Sequence, residues 1–130
     1  MEFPADLKYT ENDEWIKVEG TQGTVGITDW AQDQLSDIVY VEIIADLGET
    51  VPKGETFASV ESVKAAADVY MPVTGKLIEG NEALADTPEM VNTDPYGAAW
   101  MGKIEIADPA ELDGLLDAAA YQKHCEERES

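Results

Sequence analysis

Apolar residues occur along this chain in short runs that glycine, proline and acidic residues interrupt. Runs that are rich in β-branched and aromatic residues, and that end at such turn-forming residues, are typical of strands. Strands are predicted over residues 15–18, 24–27, 38–44, 56–63, 67–71, 76–79 and 100–106. Short strands at this spacing predict a mainly β core with small helices attached to it.

Two short helical regions are predicted between these strands. Thr28 can cap a helix that has Asp29 in its first turn and Leu35 among its apolar residues. Residues 81–94 contain Pro88 and few strand-forming residues, so they predict a short helix and a loop.

A C-terminal helix is predicted over about residues 109–126. Asp108 can cap it, Pro109 suits its first position, and Glu111 stands where it could reach back to the cap. The apolar residues at helical spacing are Leu112, Leu115, Leu116 and Ala119. These residues would give the helix one apolar face.

The size of the chain predicts one domain over residues 1–130, large enough to bury a core. No apolar run approaches the length of a membrane span, so no membrane partner is expected. Residues 1–6 are acidic and lack the basic and apolar regions of a secretory signal. Cys125 is the single cysteine, which excludes an internal disulfide. A reducing cytoplasm fits these features best.

The formal net charge of −20 is extreme for 130 residues, and the acidic residues are spread evenly along the chain. Such a field repels phosphate backbones, so nucleic acid is not expected as a partner. One interpretation of the charge is guidance towards basic partner enzymes. The other is adaptation to concentrated salt, where screening removes the self-repulsion. The few lysines and the single arginine, Arg128, favour the second interpretation.

The sequence contains no recognisable catalytic or metal-binding motif. His124 and Cys125 are adjacent, and neighbours on a helix point about 100° apart, which argues against a nucleophile–base pair. There is no Cys-x-x-Cys, no His-Glu-x-x-His, no phosphate-binding glycine motif and no calcium-binding loop. The chain is therefore predicted to be non-catalytic.

Lys64 lies between two predicted strands, at a junction without glycine, asparagine or proline. Tight hairpins usually contain such residues, because these tolerate positive φ. On position alone, Lys53 between Pro52 and Gly54 is as turn-like as Lys64. A non-catalytic domain with a lysine on a projecting hairpin suits a carrier whose cofactor supplies the chemistry.

Residues 61–65, Glu-Ser-Val-Lys-Ala, resemble the modification site of biotinyl and lipoyl domains, and the chain most resembles the H protein of the glycine cleavage system. The other matching segments are Tyr9-Thr10, Glu14-Trp15, Val25-Gly26-Ile27-Thr28, Ala31-Gln32, Leu35-Ser36-Asp37-Ile38-Val39, Gly54-Glu55, Pro72-Val73-Thr74-Gly75, Asn81-Glu82-Ala83-Leu84, Pro88-Glu89-Met90-Val91-Asn92, Asp94-Pro95-Tyr96-Gly97 and Trp100. Their common order and compatible spacing make the resemblance specific. One difference is Asp13, where the family commonly has histidine.

The resemblance implies a barrel-sandwich hybrid of two small antiparallel sheets, with short helices and a C-terminal helix. It implies lipoic acid as the cofactor, in amide linkage to Lys64. In this family the loaded arm can rest in a surface cleft, and the resemblance makes Glu14 a candidate to contact the amine there. The alternative is that Glu14 is one more of the 28 acidic residues on the surface.

The partners that the resemblance implies are enzymes of glycine catabolism and one-carbon metabolism. A pyridoxal-phosphate glycine decarboxylase (P protein) loads the aminomethyl group, and an aminomethyltransferase (T protein) passes the one-carbon unit to tetrahydrofolate. A dihydrolipoamide dehydrogenase (L protein) reoxidises the dithiol. A lipoate ligase or lipoyl transferase would attach the cofactor, and the carrier is expected to be a monomer.

Four other functions differ from this interpretation. A lipoyl domain of a 2-oxo acid dehydrogenase complex usually has Asp before the lysine and a flexible linker, whereas Val63 stands here and no such linker follows. A biotin carrier normally has methionine on both sides of the lysine, which Val63 and Ala65 do not match. A lipoyl relay protein that passes lipoate to other enzymes, and an unmodified acidic interaction module, stay open.

Overall fold

Residues 1–129 are described by a computed structural model, and their strands form two antiparallel sheets. The strands are β1 (Lys8–Tyr9), β2 (Glu14–Glu19), β3 (Gln22–Ile27), β4 (Ile38–Ile43), β5 (Thr50–Val51), β6 (Thr56–Ser62), β7 (Ala66–Tyr70), β8 (Gly75–Gly80) and β9 (Gly102–Ile106). The larger sheet has the order β1-β2-β3-β9-β8-β5, and the smaller sheet has the order β4-β6-β7.

The helices are short, except for the one at the C-terminal end. They are α1 (Asp29–Leu35), α2 (Ala83–Asp86), α3 (Met90–Thr93) and α4 (Ala118–Glu129). A 3₁₀ helix covers Pro109–Gly114. Within residues 1–129, no helix is both long enough and apolar enough to span a membrane.

The predicted fold class is confirmed. The chain is mainly β, with two antiparallel sheets, short helices and a C-terminal helix, and neither sheet closes into a barrel. Each predicted strand is present close to its expected limits. Strands β1 and β5 escaped prediction because two residues are too few to show an alternating pattern.

The larger cluster of buried apolar residues joins the two sheets. Phe57 and Val60 from the smaller sheet belong to the same cluster as Val25, Leu77 and Ile104 from the larger one. Each of these side chains is at most 1% exposed. Burying one side chain of this kind stabilises the folded state by about 1.5–3 kcal/mol, so this cluster accounts for the packing of sheet on sheet.

A second cluster attaches α4 to the larger sheet. Its buried members are Leu7, Tyr9, Trp15, Trp30, Tyr121 and Cys125. The rings of Tyr9 and Tyr121 stack with their centroids 4.7 Å apart. Trp15 Nε1 donates to the Pro95 carbonyl at 3.0 Å, which gives the buried indole its polar partner.

The C-terminal segment differs from the single helix predicted over residues 109–126. The 3₁₀ helix ends at Gly114, Leu115 is extended, and Leu116 pairs with Tyr9 through two backbone hydrogen bonds of 2.8 Å. Glycine weakens a helix interior by about 1 kcal/mol relative to alanine. The long-range pairing with β1 therefore prevails over local helix propensity, and the predicted helix is divided in two.

The capping residues of this segment were predicted in part. Asp108 caps the 3₁₀ helix, because its Oδ1 accepts from the Ala110 N–H at 3.1 Å. Glu111 does not reach back to this cap. Its Oε1 accepts from the Thr74 N–H at 2.7 Å and fastens the helix to the β7–β8 connection. Asp117 supplies a second helix start, since its Oδ1 accepts from a backbone N–H in the first turn of α4 at 2.8 Å.

Candidate functional site

Lys64 lies at the tip of the hairpin that β6 and β7 form. The Ser62 N–H donates to the Ala65 carbonyl at 2.7 Å, so Val63 and Lys64 form a two-residue loop. Both loop residues are exposed, and Val63 is 66% exposed despite its apolar side chain. Within residues 1–129, the Lys64 ammonium has no hydrogen-bond or ion-pair partner. This amine is open to a modifying enzyme.

The hydroxyl of Ser62 allows this turn to form without glycine. Its Oγ accepts from the Lys64 N–H at 3.2 Å and from the Ala65 N–H at 3.0 Å. Neither Val63 nor Lys64 has a positive φ, whereas the usual two-residue hairpin turns need one. Serine hydroxyls can bond the backbone a few residues on and so support a local turn. Ser62 is therefore the turn signal that the sequence offered and the prediction missed.

The connection between α1 and β4 anchors the hairpin tip. The Val63 N–H donates to the Asp37 carbonyl at 3.0 Å. Both neighbours of Asp37 bond to one side chain: Asn92 Nδ2 donates to the Ser36 carbonyl, and Asn92 Oδ1 accepts from the Ile38 N–H, each at 2.9 Å. The tip that carries the lysine is therefore held on one side by ordered backbone.

Lys53 lies in a different kind of connection. It joins β5 to β6, which belong to different sheets, so its turn is not the tip of a hairpin. The Lys53 N–H donates to Thr74 Oγ1 at 3.1 Å, and Gly54 follows with a φ of 85°. The Lys53 ammonium packs at the end of the 3₁₀ helix, 3.7 Å from the position that a Cβ on Gly114 would take. Of the two turn lysines, Lys64 alone is at a hairpin tip.

A cleft of about 170 Å³ lies beside this hairpin. Residues of α1, β6, β7 and the segment before β2 line it, and its carboxylates are Asp13, Glu14 and Asp68. Apolar side chains such as Leu35 and Val69 form other parts of the lining. Ala67, in the same lining, is three residues along the chain from Lys64, which is about 10 Å at the rise of a strand. A flexible group on Lys64 could reach this cleft.

Glu14 is buried at this cleft and is 1% exposed. Its Oε1 accepts from Thr10 Oγ1 at 2.6 Å, and its Oε2 accepts from the Tyr70 N–H at 3.3 Å. Burial raises the pKa of Glu14 from its ordinary 4.5 to about 7. The charge of Asp13 also acts to raise this pKa, whereas the two hydrogen bonds act to lower it. Glu14 is therefore not a solvated surface acid, and near neutral pH it can both release and bind a proton.

Asp13 occupies the position where the family commonly has histidine, and it has a positive φ of 73°. Its carboxylate pairs with the Arg128 guanidinium, with Oδ1 at 2.6 Å from one nitrogen and Oδ2 at 3.1 Å from the other. Tyr121 Oη also donates to Asp13 Oδ1 at 2.8 Å. Three donors on α4 therefore hold this acidic residue at the edge of the cleft. Neither Arg128 nor Tyr121 was predicted as a site residue, because both are distant from Asp13 in sequence.

A family model described as "Glycine cleavage H-protein" matches residues 7–128. The chain belongs to the glycine cleavage H-protein family. Relatives described as "Glycine cleavage system H protein" match the sequence of this chain over nearly their whole length. The protein from Halorhodospira halophila is 57% identical, with 94% of each chain covered. The protein from Marinobacter nauticus is 55% identical, with 95% of each chain covered.

A solved structure of an H protein has the same fold. The crystal structure of the glycine cleavage system H protein from Mycobacterium marinum superposes with a TM-score of 0.83 at 34% sequence identity. The match covers 98% of this chain and 99% of the other. At this coverage the two sheets and the attached helices form one common architecture.

Membership of the H-protein family establishes what this chain does. H proteins are the non-catalytic lipoyl carriers of the glycine cleavage system, and they bear lipoate covalently on a lysine. They work with the P, T and L proteins of that system. The chain is accordingly a lipoyl carrier, and the carrier role that the resemblance implied is confirmed, as is the cofactor.

Proposed function

We propose that residues 1–130 act as a single carrier domain in which Lys64 is the lysine that bears lipoate. The observation that carries this proposal is the exposed ammonium of Lys64, which has no polar partner among residues 1–129, at the tip of an anchored hairpin. Amide formation removes the charge of the lysine, so the extended side chain can lie against apolar surface. The cleft beside the hairpin offers such a surface, with Leu35 and Val69 in its lining.

We further propose that the arm rests in this cleft and that Glu14 contacts the amine of its cargo. A lipoyl group supplies a disulfide that can take up two electrons and a one-carbon amine by exchange at sulfur. The chain's own contribution is to bind the loaded end and to exclude water from it. The Glu14 carboxyl is buried and already fixed by Thr10 and Tyr70, so its position does not change when a cationic amine arrives.

Its partners are proposed to be the glycine decarboxylase, the aminomethyltransferase and the dihydrolipoamide dehydrogenase. A lipoate ligase or lipoyl transferase would modify Lys64, in a reducing cytoplasm, and the carrier would act as a monomer. The net charge of −20 would speed encounter with basic surfaces on these enzymes at low salt.

The test of this function uses the lipoylated full-length chain with a glycine decarboxylase. Labelled bicarbonate should exchange into glycine when the lipoylated chain is present, and the unmodified chain should support no exchange. A lipoylated chain that gave no exchange would instead favour a lipoyl relay protein. Intact mass must first establish that the sample is modified.

Replacing Ser62 with alanine is expected to slow lipoate attachment. The variant loses the acceptor for two backbone N–H groups in an exposed turn, which costs about 1 kcal/mol and lowers the population of the native turn up to about fivefold. Initial rates of ligase-catalysed modification measure the effect. Ser62→Thr keeps the hydroxyl and should restore the rate, and Ser59→Ala on β6 serves as a matched control. Equal rates for Ser62→Ala and Ser59→Ala would contradict the role of this hydroxyl.

Salt is expected to stabilise the fold at neutral pH. Screening weakens the repulsion among 20 unbalanced negative charges, so Tm should rise by about 5 °C or more in molar potassium chloride. The same salt should have a much smaller effect near pH 4, because the isoelectric point is about 4.1. A Tm that falls in salt at pH 7 would contradict adaptation to concentrated salt.

A further inference from the structure

Arg128 is the single arginine of the sequence, and its guanidinium contacts Asp13, Trp30 and Cys125. Its two terminal nitrogens bond the two carboxylate oxygens of Asp13, at 2.6 and 3.1 Å. Its guanidinium also lies 4.9 Å from the centre of the Trp30 ring. A guanidinium that makes a bidentate pair and also lies over an aromatic ring is held in one orientation, whereas a lysine makes a single-point pair.

A second chain of hydrogen bonds fixes the same carboxylate. Tyr121 Oη donates its one proton to Asp13 Oδ1 at 2.8 Å, so the 2.6 Å contact with Thr28 Oγ1 must be donated by the threonine. Thr28 also caps α1, and its own N–H donates to the Asp13 carbonyl at 3.0 Å. Asp13 is therefore tied to α4 and to the start of α1 at the same time.

The segment that contains Asp13 also contains Glu14, the residue proposed to contact the cargo amine. Residues 10–14 form a tight loop, in which the Asp13 N–H bonds the Thr10 carbonyl and the Glu14 N–H bonds Thr10 Oγ1, both at 3.2 Å. Asp13 and Glu14 both line the cleft, whereas Arg128 does not. Asp13 is therefore the cleft-lining residue through which Arg128 can act directly.

We propose that Arg128 is a positioning residue for the cleft beside the Lys64 hairpin. Its guanidinium pairs with the Asp13 carboxylate, which leaves the Glu14 carboxylate to bind the cargo amine. The proposal rests on the proposed function of the cleft. Without Arg128, Asp13 would be an unneutralised carboxylate beside Glu14, and the loop of residues 10–14 would lose its tie to α4. An ordinary exposed ion pair contributes little to stability, so the expected effect is local.

The first measurement is backbone hydrogen exchange, which does not depend on lipoate. In Arg128→Gln, exchange should rise about fivefold at the N–H groups of Asp13, Glu14 and Thr28, with no change in the central strands. Arg128→Lys keeps one charge and should restore part of the protection. In an Asp13→Asn background, Arg128→Gln should add much less, because the charged bidentate pair is already lost. Uniform acceleration over the whole chain, or none, would overturn the proposal.

The second measurement is the lifetime of the aminomethyl cargo on the lipoylated chain, loaded from glycine by the decarboxylase and followed by intact mass. Arg128→Gln should shorten this lifetime several-fold, with Arg128→Lys in between. A local rise in hydrogen exchange without a shorter lifetime would overturn the proposal, since the loop would then not matter to the cleft. A Glu14→Ala variant separates the two ideas. If Glu14→Ala retains the wild-type lifetime, the proposed function of the cleft is refuted. If Glu14→Ala shortens the lifetime and Arg128→Gln does not, only the positioning role of Arg128 is refuted.

Discussion

Replacing Lys64 with arginine is expected to abolish lipoate attachment and with it all carrier activity. Amide formation needs a primary amine that can lose its proton, and a guanidinium stays charged at any accessible pH. The variant keeps the positive charge of an exposed side chain whose ammonium has no polar partner within residues 1–129. The free energy of unfolding should therefore change by less than about 0.5 kcal/mol. Intact mass after co-expression with a lipoate ligase, followed by thermal melting, measures both effects.

Lys53→Arg is the matched control for this variant. Lys53 is also an exposed turn lysine, but its connection joins the two sheets and its ammonium lies beside Gly114. The control should gain the lipoyl mass and support glycine–bicarbonate exchange at the wild-type rate. Lipoyl mass that persists in Lys64→Arg would refute the assignment, as would its loss in Lys53→Arg. A loss of several kcal/mol in stability would show instead that Lys64 supports the fold.

The strands around Lys64 were predictable because each consists of a short local run of apolar and β-branched residues. Choosing Lys64 over Lys53 was not possible from position, and it depended on the resemblance of residues 61–65 to a modification site. The turn itself could have been predicted from Ser62, since a serine hydroxyl that bonds nearby N–H groups is a local property. The anchoring of the tip could not, because Asp37 and Asn92 come from elsewhere in the chain.

The C-terminal segment shows where a local pattern misleads. Asp108 and Pro109 do start a helix, as predicted, but only a 3₁₀ helix that ends at Gly114. The backbone pairing of Leu116 with Tyr9 spans most of the sequence, and no periodicity in residues 109–126 could reveal it. The interruption has a structural consequence, because α4 starts anew at Ala118 and its Arg128 reaches Asp13.

The pKa of Glu14 likewise follows from packing and not from sequence. The motif placed Glu14 beside Trp15 and made it a candidate, yet the same pattern would suit a solvated acid. Its burial requires the loop of residues 10–14 and the end of β7 to meet at its carboxylate. Desolvation is the largest cause of its raised pKa, and that cause exists only in the folded chain.

Glu14 is expected to make the folded state less stable as the pH rises from 4.5 to about 7. In the unfolded chain the pKa of this carboxyl is at its ordinary 4.5, and burial raises it to about 7 in the folded state. Between these values the folded state binds the additional proton, so its stability falls with increasing pH. The contribution is fully present below pH 4.5 and is lost above about pH 7, and it amounts to about 3 kcal/mol.

Glu14→Gln should remove this component, because glutamine has no proton to lose. Relative to wild type, the variant's free energy of unfolding should increase by about 3 kcal/mol between pH 4.5 and pH 8. Urea denaturation in molar potassium chloride measures it, since the salt screens the net charge of −20. Glu11→Gln makes the same change of charge at an exposed side chain and serves as the control. If the two variants gave parallel pH profiles of the free energy of unfolding, the burial of the Glu14 carboxyl in the folded state would be refuted.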